Sequence, residues 1–324
     1  VVYAHVPDRS GSGVTLGPGV LLRPKADATG QRAEWFRPSD VAIGTDGAVY
    51  VADWFDPGVG GHQARDREAY GRILRIVPEG TRPKAPAIEV ETLPGALAAL
   101  SSPAVNVRAA GRAALLARGG PRDGGLYAAT PVERGLAALV STAELPVAAR
   151  ALWLMARLGL PLEMMVLDDN VALDLRVTAL RALLPLSPDP LALVSLLVED
   201  ESPALRREAA LALADKPIER TAPLWLSLAR QYEVGDHYAL AALAVAAHGH
   251  EARLYDVLLA ERADVDAPWS PRFAELVWLL HPPEAVVTLA ARAMHSGLPV
   301  VDRRRALETL AFIPSRGAAE VMVD

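Results

Sequence analysis

Acidic and histidine side chains that could do chemistry gather in and beside residues 54–70. Carboxylates together with a histidine can bind a metal ion or transfer protons, and glycine lets the backbone approach a ligand closely. A connection longer than about 12–15 residues is typical of a functional or self-packed loop. The candidates for acid–base chemistry are therefore His62, Asp53 and Asp56, and those for a metal ion are Asp56 and Asp66.

The same segment also permits a purely structural interpretation. Asp56 and Asp66 can cap turns, and His62 can bond to the backbone. The glycines between them can serve only to supply positive φ angles. The residue types alone leave both interpretations open.

Arg37 is a further catalytic candidate, because it stands in Phe36-Arg37-Pro38 just before a predicted strand. Its guanidinium could meet an anionic group of a ligand. It could equally pair with Asp40 or Asp53 as a structural brace.

The first 80 residues that would position these side chains are predicted to be β structure. Short runs of β-branched and aromatic residues alternate with Gly- and Asp-rich turns, including Thr45-Asp46-Gly47. Such strands suit a β-propeller or a sandwich, and the pattern alone does not choose between them. The predicted strands are Val1–Val6, Val41–Ile43, Ala48–Asp53 and Gly71–Val77.

Residues 81–95 are predicted to be a proline-rich linker, and from residue 96 to 324 the apolar period becomes helical and repeats. In four segments an apolar residue precedes an arginine. Counted from that apolar residue, positions four, seven and eight are mostly small or apolar, and these offsets define one face of a helix. Because one helix pair cannot bury its apolar face alone, the repeats predict a stacked solenoid. The four segments begin at Val107-Arg108, Ala149-Arg150, Leu175-Arg176 and Leu205-Arg206, and further helices are predicted at Tyr238–Ala247, Arg272–Leu280 and Arg303–Phe312.

Two sets of residues in the repeats could be structural or could bind a partner. The recurring arginines are expected to pair with acidic residues of neighbouring repeats, and the alternative is a ladder that binds phosphate or peptide. The tryptophans are expected to pack in the core or between repeats, and the alternative is an aromatic groove for a partner peptide. The tryptophans concerned are Trp153, Trp225, Trp269 and Trp278.

Composition excludes several classes of function. The net charge of −6 argues against nucleic-acid binding, because no basic surplus exists to neutralise phosphates. The absence of cysteine excludes disulfides, thiol catalysis and covalent c-type haem. No apolar run approaches the ~20 residues of a membrane span, and no signal peptide is visible. Because the chain starts at Val1 in strand-like sequence, we expect an internal fragment of a larger protein.

Three motifs carry a resemblance to a known family. They are the segment from Trp35-Phe36-Arg37-Pro38 to Trp54-Phe55-Asp56, the following Pro57-Gly58-Val59-Gly60-Gly61-His62, and Gly71-Arg72-Ile73-Leu74-Arg75-Ile76. Together they resemble the propeller end of the membrane-bound dehydrogenases of planctomycete and verrucomicrobial type, which are related to glucose/sorbosone dehydrogenases. Residues 96–324 are similar to that family only as generic repeats.

The resemblance implies a multidomain β + α chain: a terminal β-propeller blade or blades followed by an α-α superhelix of HEAT-like repeats. It implies an exported protein of the periplasm or cell envelope, whose full-length form uses pyrroloquinoline quinone, calcium and c-type haem. Its partners would be the missing propeller and cytochrome-like domains of the same polypeptide. This chain alone is expected to be inactive as a sugar or alcohol dehydrogenase, with its repeats acting as a spacer or docking scaffold.

A second hypothesis belongs to another class of protein. The chain would be a non-catalytic HEAT-repeat scaffold that binds a protein partner on the concave surface of its helices.

Overall fold

The computed structural model describes residues 1–24, 36–54, 71–119, 129–262 and 268–323. They form a mixed β and α protein with two small antiparallel sheets and fifteen α-helices in the described ranges. The chain divides into two compact units. The first unit comprises Val1–Asp8 and Thr15–Met165, and the second comprises Arg9–Val14 and Val166–Asp324. The candidates Asp56, His62 and Asp66 lie outside the described residues.

Five strands occupy the N-terminal part of the chain. Each of the four predicted strands is confirmed with small shifts of its ends, and the second strand was not predicted. The first two strands pair with each other, and the last three form an antiparallel sheet in chain order. The strands are β1 (Val2–Ser10), β2 (Gly13–Leu22), β3 (Pro38–Ile43), β4 (Val49–Asp53) and β5 (Arg72–Ile76).

The turn between β3 and β4 follows the chemistry of its sequence. Gly47 adopts a positive φ of 80°, and the backbone N–H of Gly44 donates to the carbonyl of Ala48 at 2.9 Å. The carboxylate of Asp46 accepts hydrogen bonds from Arg75 at 2.7 Å and from the Tyr50 hydroxyl at 3.1 Å. This turn therefore fixes the pairing of all three strands.

The three-stranded sheet has one apolar face. Val41 and Leu74 flank Val51 in the register, and Val51 is fully buried. Tyr50 and Ala52 project to the other face, where Ile73 is 73% exposed. The apolar face is therefore buried at its centre, Val51, whereas Val41 and Ile43 on β3 are 47% and 41% exposed.

Residues 77–92 hold neither helix nor strand, and the helices begin within the stretch predicted to be linker. Thr92 caps the first helix by accepting the N–H of Gly95 at 3.1 Å, and Pro94 occupies its first turn, where proline is tolerated. The helices of this part are α1 (Leu93–Ala99), α2 (Val105–Gly119), α3 (Pro131–Thr142), α4 (Leu145–Arg157) and α5 (Glu163–Leu167).

The helices of the first unit pack as two hairpins. α1 packs on α2 and α3 packs on α4, while α2 contacts α4 and α1 contacts α3. Their shared core includes Leu100, Leu115, Leu136 and Leu154, all nearly inaccessible to solvent. α3 begins with a reciprocal capping box between Thr130 and Glu133.

The remaining helices belong to the second unit, and alternate ones contact each other in chain order. α6, α8, α10, α12 and α14 form one such series, and α9 contacts α11. Trp225 of α9 is buried and donates its indole N–H to the carbonyl of Leu243 at 3.0 Å, which confirms its predicted place in the core. The helices are α6 (Leu173–Leu183), α7 (Pro190–Val194), α8 (Pro203–Ala212), α9 (Ile218–Gln231), α10 (His237–Ala247), α11 (Glu251–Ala260), α12 (Pro271–Leu280), α13 (Val286–Met294), α14 (Val300–Phe312) and α15 (Arg316–Val323).

The repeat alignment predicted the buried face in three of its four segments. Gly111 and Leu115 in α2, Ala179 and Ala182 in α6, and Ala209 and Leu213 at the end of α8 are all buried. In α4 only one of the predicted positions, Ala156, is buried. Ala148, Ala151 and Leu152 form the buried face there, and Trp153 is 44% exposed.

None of the helices in the described ranges is both long enough and apolar enough to cross a membrane.

Candidate functional site

Asp53, one of the sequence-predicted catalytic residues, lies at the centre of a structural brace. Its side chain ends β4 and is almost completely buried. One carboxylate oxygen accepts the backbone N–H of Arg37 at 2.7 Å, and the other accepts Nε of Arg72 at 2.8 Å. The backbone N–H of Trp54 donates back to the carbonyl of Arg37 at 2.9 Å. The brace thus joins the chain before β3 to the ends of β4 and β5.

This geometry limits what Asp53 can do chemically. Both oxygens hold a donor and the side chain is 2% exposed, so the proton-transfer role predicted for Asp53 would require these contacts to break. Asp53 nevertheless lines an open cavity of about 510 Å³, together with Trp54, Arg72 and other residues. In the described parts of the chain, no group of three or more His, Asp and Glu side chains could hold a metal ion.

The repeat arginines share a position that the sequence alignment did not reveal. Arg108, Arg176 and Arg206 are each the fourth residue of their helix, and Arg303 of α14 is too. Because helical side chains tilt toward the N-terminus, an arginine in the first turn can reach back to the preceding loop. Arg134 of α3 follows the same rule by donating to the carbonyl of Ala129.

The carbonyls that these arginines reach recur at fixed distances along the sequence. Arg108 donates to Ser102 at 2.8 Å and to Pro103, and Arg206 donates to Asp200 at 2.7 Å and to Glu201 at 3.0 Å. In both cases the acceptors lie six and five residues earlier. Arg176 and Arg303 each reach a carbonyl ten residues earlier, those of Val166 and Ala293.

Arg176 also forms an ion-pair network. Its guanidinium lies 2.6 Å from the carboxylate of Asp200 and 2.7 Å from that of Asp169. Arg176 is 6% exposed, so the carboxylates and the carbonyl of Val166 compensate a buried charge. The pairing with Asp200, just before α8, is the structural role that the sequence predicted for the repeat arginines.

A groove between α2 and α4 was not predicted as a site. It encloses a cavity of about 340 Å³ in the first unit. α2 presents residues at offsets 0, 3, 4 and 7, which form a second helix face beside the one buried against α1. The lining residues are Val105, Arg108, Ala109 and Arg112 of α2, Arg150, Trp153 and Leu154 of α4, and Leu100 between α1 and α2.

The groove combines buried and exposed apolar side chains. Leu100 and Leu154 are buried at its base, whereas Val105 and Trp153 are 66% and 44% exposed at its edges. Trp153 is therefore half-exposed and not in the core, which was one of the two places predicted for it. It matches the alternative of an aromatic groove more closely.

The groove is also positively charged. Its lining contains three arginines and no carboxylate. Arg150 donates Nη1 to the carbonyl of Leu100 at 2.6 Å, and Arg112 has no hydrogen-bond or ion-pair partner among the described residues. Burial lowers the pKa of Arg150, and the nearby charge of Arg108 lowers it further. Two guanidinium groups, those of Arg108 and Arg150, therefore line one groove whose lining has no carboxylate.

The other predicted tryptophans pack against neighbouring rings, and Trp278 lies 5.8 Å from the ring of His281. Trp269 stacks edge-on against Phe273 at 5.0 Å and lies under the guanidinium of Arg292 at 4.6 Å. Gly249, between His248 and His250, has a positive φ of 78° in the loop that follows α10. These contacts are typical of helix packing and helix termination.

Comparison with known proteins finds no similar protein. No protein-family model matches the chain, and no curated protein and no solved structure is significantly similar to it.

Proposed function

We propose that the chain is a non-catalytic, HEAT-like helical-repeat module that binds a segment of another protein in the groove between α2 and α4. The observation that carries this proposal is the pair of exposed apolar side chains, Val105 and Trp153, above a base of Leu100 and Leu154. Tryptophan and arginine are the residues most often responsible for binding energy at protein interfaces. Both types line this groove.

The packing of the helices supports the repeat architecture. In the first unit α2 contacts α4, and each of these is the second helix of its hairpin. In the second unit each member of the series α6, α8, α10, α12 and α14 contacts the next one. The arginine at the fourth helical residue recurs in four of these seven helices. Stacked repeats with nearest-neighbour contacts usually present extended surfaces that bind proteins.

A peptide-display selection tests the proposal. A random 12-residue library is selected on the wild-type chain, and enriched peptides are measured against Trp153→Ala and Val105→Ser. We expect micromolar binding that weakens at least about tenfold in Trp153→Ala, the loss typical of a central aromatic anchor. Val287→Ser is the control for Val105→Ser, because Val287 is an exposed valine on α13, 79% against 66% for Val105. Equal binding to wild type and Trp153→Ala, or no enrichment at all, contradicts the proposal.

A second proposal keeps the dehydrogenase resemblance, and one observation favours it. The antiparallel order β3-β4-β5, with consecutive strands adjacent, is the arrangement within a propeller blade. In this proposal the chain is a blade and helical spacer of a quinoprotein-like sugar or alcohol dehydrogenase of the cell envelope. The protein encoded by the complete gene should then oxidise an aldose or alcohol with an artificial electron acceptor after loading with pyrroloquinoline quinone and Ca²⁺. A loaded full-length protein without such activity contradicts it.

A further inference from the structure

The groove between α2 and α4 has unused hydrogen-bond donors as well as charge. Arg108 and Arg150 use only Nη1 in their hydrogen bonds to backbone carbonyls. A guanidinium has five N–H donors, so Nε and Nη2 of both side chains remain available, together with all of Arg112. None of these atoms is both buried and unpaired, so they are open to solvent or to a ligand.

An anion in the groove would relieve an existing repulsion. The two guanidinium groups of Arg108 and Arg150 are anchored beside the turn between α1 and α2, because both donate to carbonyls of residues 100–103. No carboxylate lines the groove to balance them. A bound carboxylate would accept their free N–H groups and neutralise part of this charge.

The chemistry around the arginines restricts the kind of anion. Leu100, Val105, Ala109, Trp153 and Leu154 make most of the lining apolar. A ligand that fits must therefore carry apolar groups next to its negative charges. A polynucleotide exposes a phosphate at every unit, whereas an acidic peptide can place carboxylates and apolar side chains side by side.

We infer that the occupant of the groove is an acidic segment of a partner protein, in which Glu or Asp side chains alternate with Leu-like or aromatic side chains. This inference rests on the proposed binding function and adds the chemistry of the partner. The carboxylates would pair with Arg112 and with the free donors of Arg108 and Arg150. The apolar side chains would lie between Val105 and Trp153 over Leu154.

Fluorescence anisotropy with defined peptides tests the inference. The probe is a fluorescein-labelled 12-residue peptide of alternating Glu and Leu, and its partners carry Gln or phosphoserine in place of Glu. We expect the Glu peptide to bind at least about tenfold more tightly than the Gln peptide, since charge-assisted hydrogen bonds are about twice as strong as neutral ones. The ratio of the affinities for the Glu and Gln peptides should fall as the NaCl concentration rises, because salt screens exposed charges.

The variant Arg112→Gln separates charge recognition from folding. Arg112 makes no described hydrogen bond, so the variant should fold normally by circular dichroism. We expect it to weaken the Glu peptide about five- to tenfold and to leave the Gln peptide unchanged. Arg253→Gln, the same change at an exposed arginine of α11, should alter neither affinity.

Three outcomes would overturn the inference. They are equal affinities for the Glu and Gln peptides, no effect of Arg112→Gln, and a phosphoserine peptide that binds far more tightly than the Glu peptide. The first two would show that charge does not select the partner, and the third would assign the groove to phosphate. Peptides enriched by display that depend on Trp153 would still support a binding function, so failure of the acidic partner is distinguishable from failure of the proposed function.

Discussion

At the scale of single residues, most of the noteworthy charges of this chain serve the backbone. An arginine in the first turn of a helix is directed toward the N-terminus and can donate to carbonyls of the preceding loop. Arg108 and Arg206 each donate to a carbonyl six residues earlier in the chain. Asp53 also bonds to the backbone, but as an acceptor, from the N–H of Arg37. The types of these residues suggested chemistry, but their hydrogen bonds are structural. The two arginines join a helix to the loop before it, and Asp53 joins neighbouring strands.

The buried network of Arg176 gives a direct stability prediction. Replacing Arg176 with Met leaves the carboxylate of Asp200, whose side chain is 10% exposed, without its main partner. We expect a loss of about 3–5 kcal/mol in the free energy of unfolding, measured by urea denaturation. Arg220→Met is the control, because its ion pair with Asp189 is exposed and should contribute less than about 1 kcal/mol. Similar losses in the two variants would contradict the structural role of Arg176.

The shifted pKa of Glu208 makes the stability of the fold depend on pH. Burial by itself raises the pKa of Glu208, but the hydrogen bonds and charges of Arg181 and Arg207 outweigh burial and lower it overall. A lowered pKa in the folded state means that Glu208 stabilises the fold above the unfolded value near 4.5, and this contribution is lost as the pH falls through the folded value.

Urea midpoints between pH 7 and pH 3 test this dependence. Glu208→Gln should be less stable than wild type at pH 7, because two guanidinium groups lose their carboxylate. The difference should narrow as the pH falls from 4.5 through the lowered pKa of the folded state, because the carboxylate of the unfolded chain takes up its proton first. If the urea midpoints of wild type and Glu208→Gln changed in parallel with pH, the stabilising role of the Glu208 carboxylate would be contradicted. Glu320→Gln, which breaks an exposed pair with Arg316, should show almost no such effect.

At the scale of elements, local sequence determined what could be predicted. β3 and β4 were predictable because β-branched residues flank Asp46-Gly47. β2 was missed because Gly13, Gly17 and Gly19 are typical of loops, and only its pairing with β1 makes it a strand. α9 was missed because Pro223 lies within it.

The candidate site was less predictable than the elements. The groove depends on which face of α4 is buried, and packing against α3 places Ala151 and Leu152 inside and Trp153 outside. A sequence alignment that assumed the same face in every repeat could not find it. The second face of α2, with Val105, Arg108, Ala109 and Arg112, was the available signal.

Gly111 provides the element-scale prediction. A methyl group there would lie 2.5 Å from Cβ of Ala99 and 2.8 Å from the carbonyl oxygen of Ala96, so α1 and α2 would have to separate. We expect Gly111→Ala to lose about 1–2 kcal/mol, because overpacking outweighs the gain of about 1 kcal/mol in helix propensity. In α15, Gly317→Ala meets no atom within 4 Å and should be neutral or slightly stabilising by thermal denaturation. A Gly111→Ala protein as stable as Gly317→Ala would contradict the close approach of α1 and α2.

At the scale of the whole molecule, the proposed binding function rests on one groove of the first unit. Contacts between alternate helices repeat along the chain, and the groove between α2 and α4 departs from that regular pattern because it exposes Trp153 and collects three arginines. Such a departure from otherwise uniform packing is where binding is expected.

Hydrogen–deuterium exchange of the chain with and without saturating Glu–Leu peptide tests the central claim most directly. The account predicts new protection in Val105–Arg112 and Arg150–Leu154, and loss of that protection in Trp153→Ala. Because α2 and α4 are already helical, the change should appear as slower exchange at their exposed faces and ends rather than as new helix. Protection confined to other helices, or no protection at saturation, would contradict the assignment of this groove as the binding site.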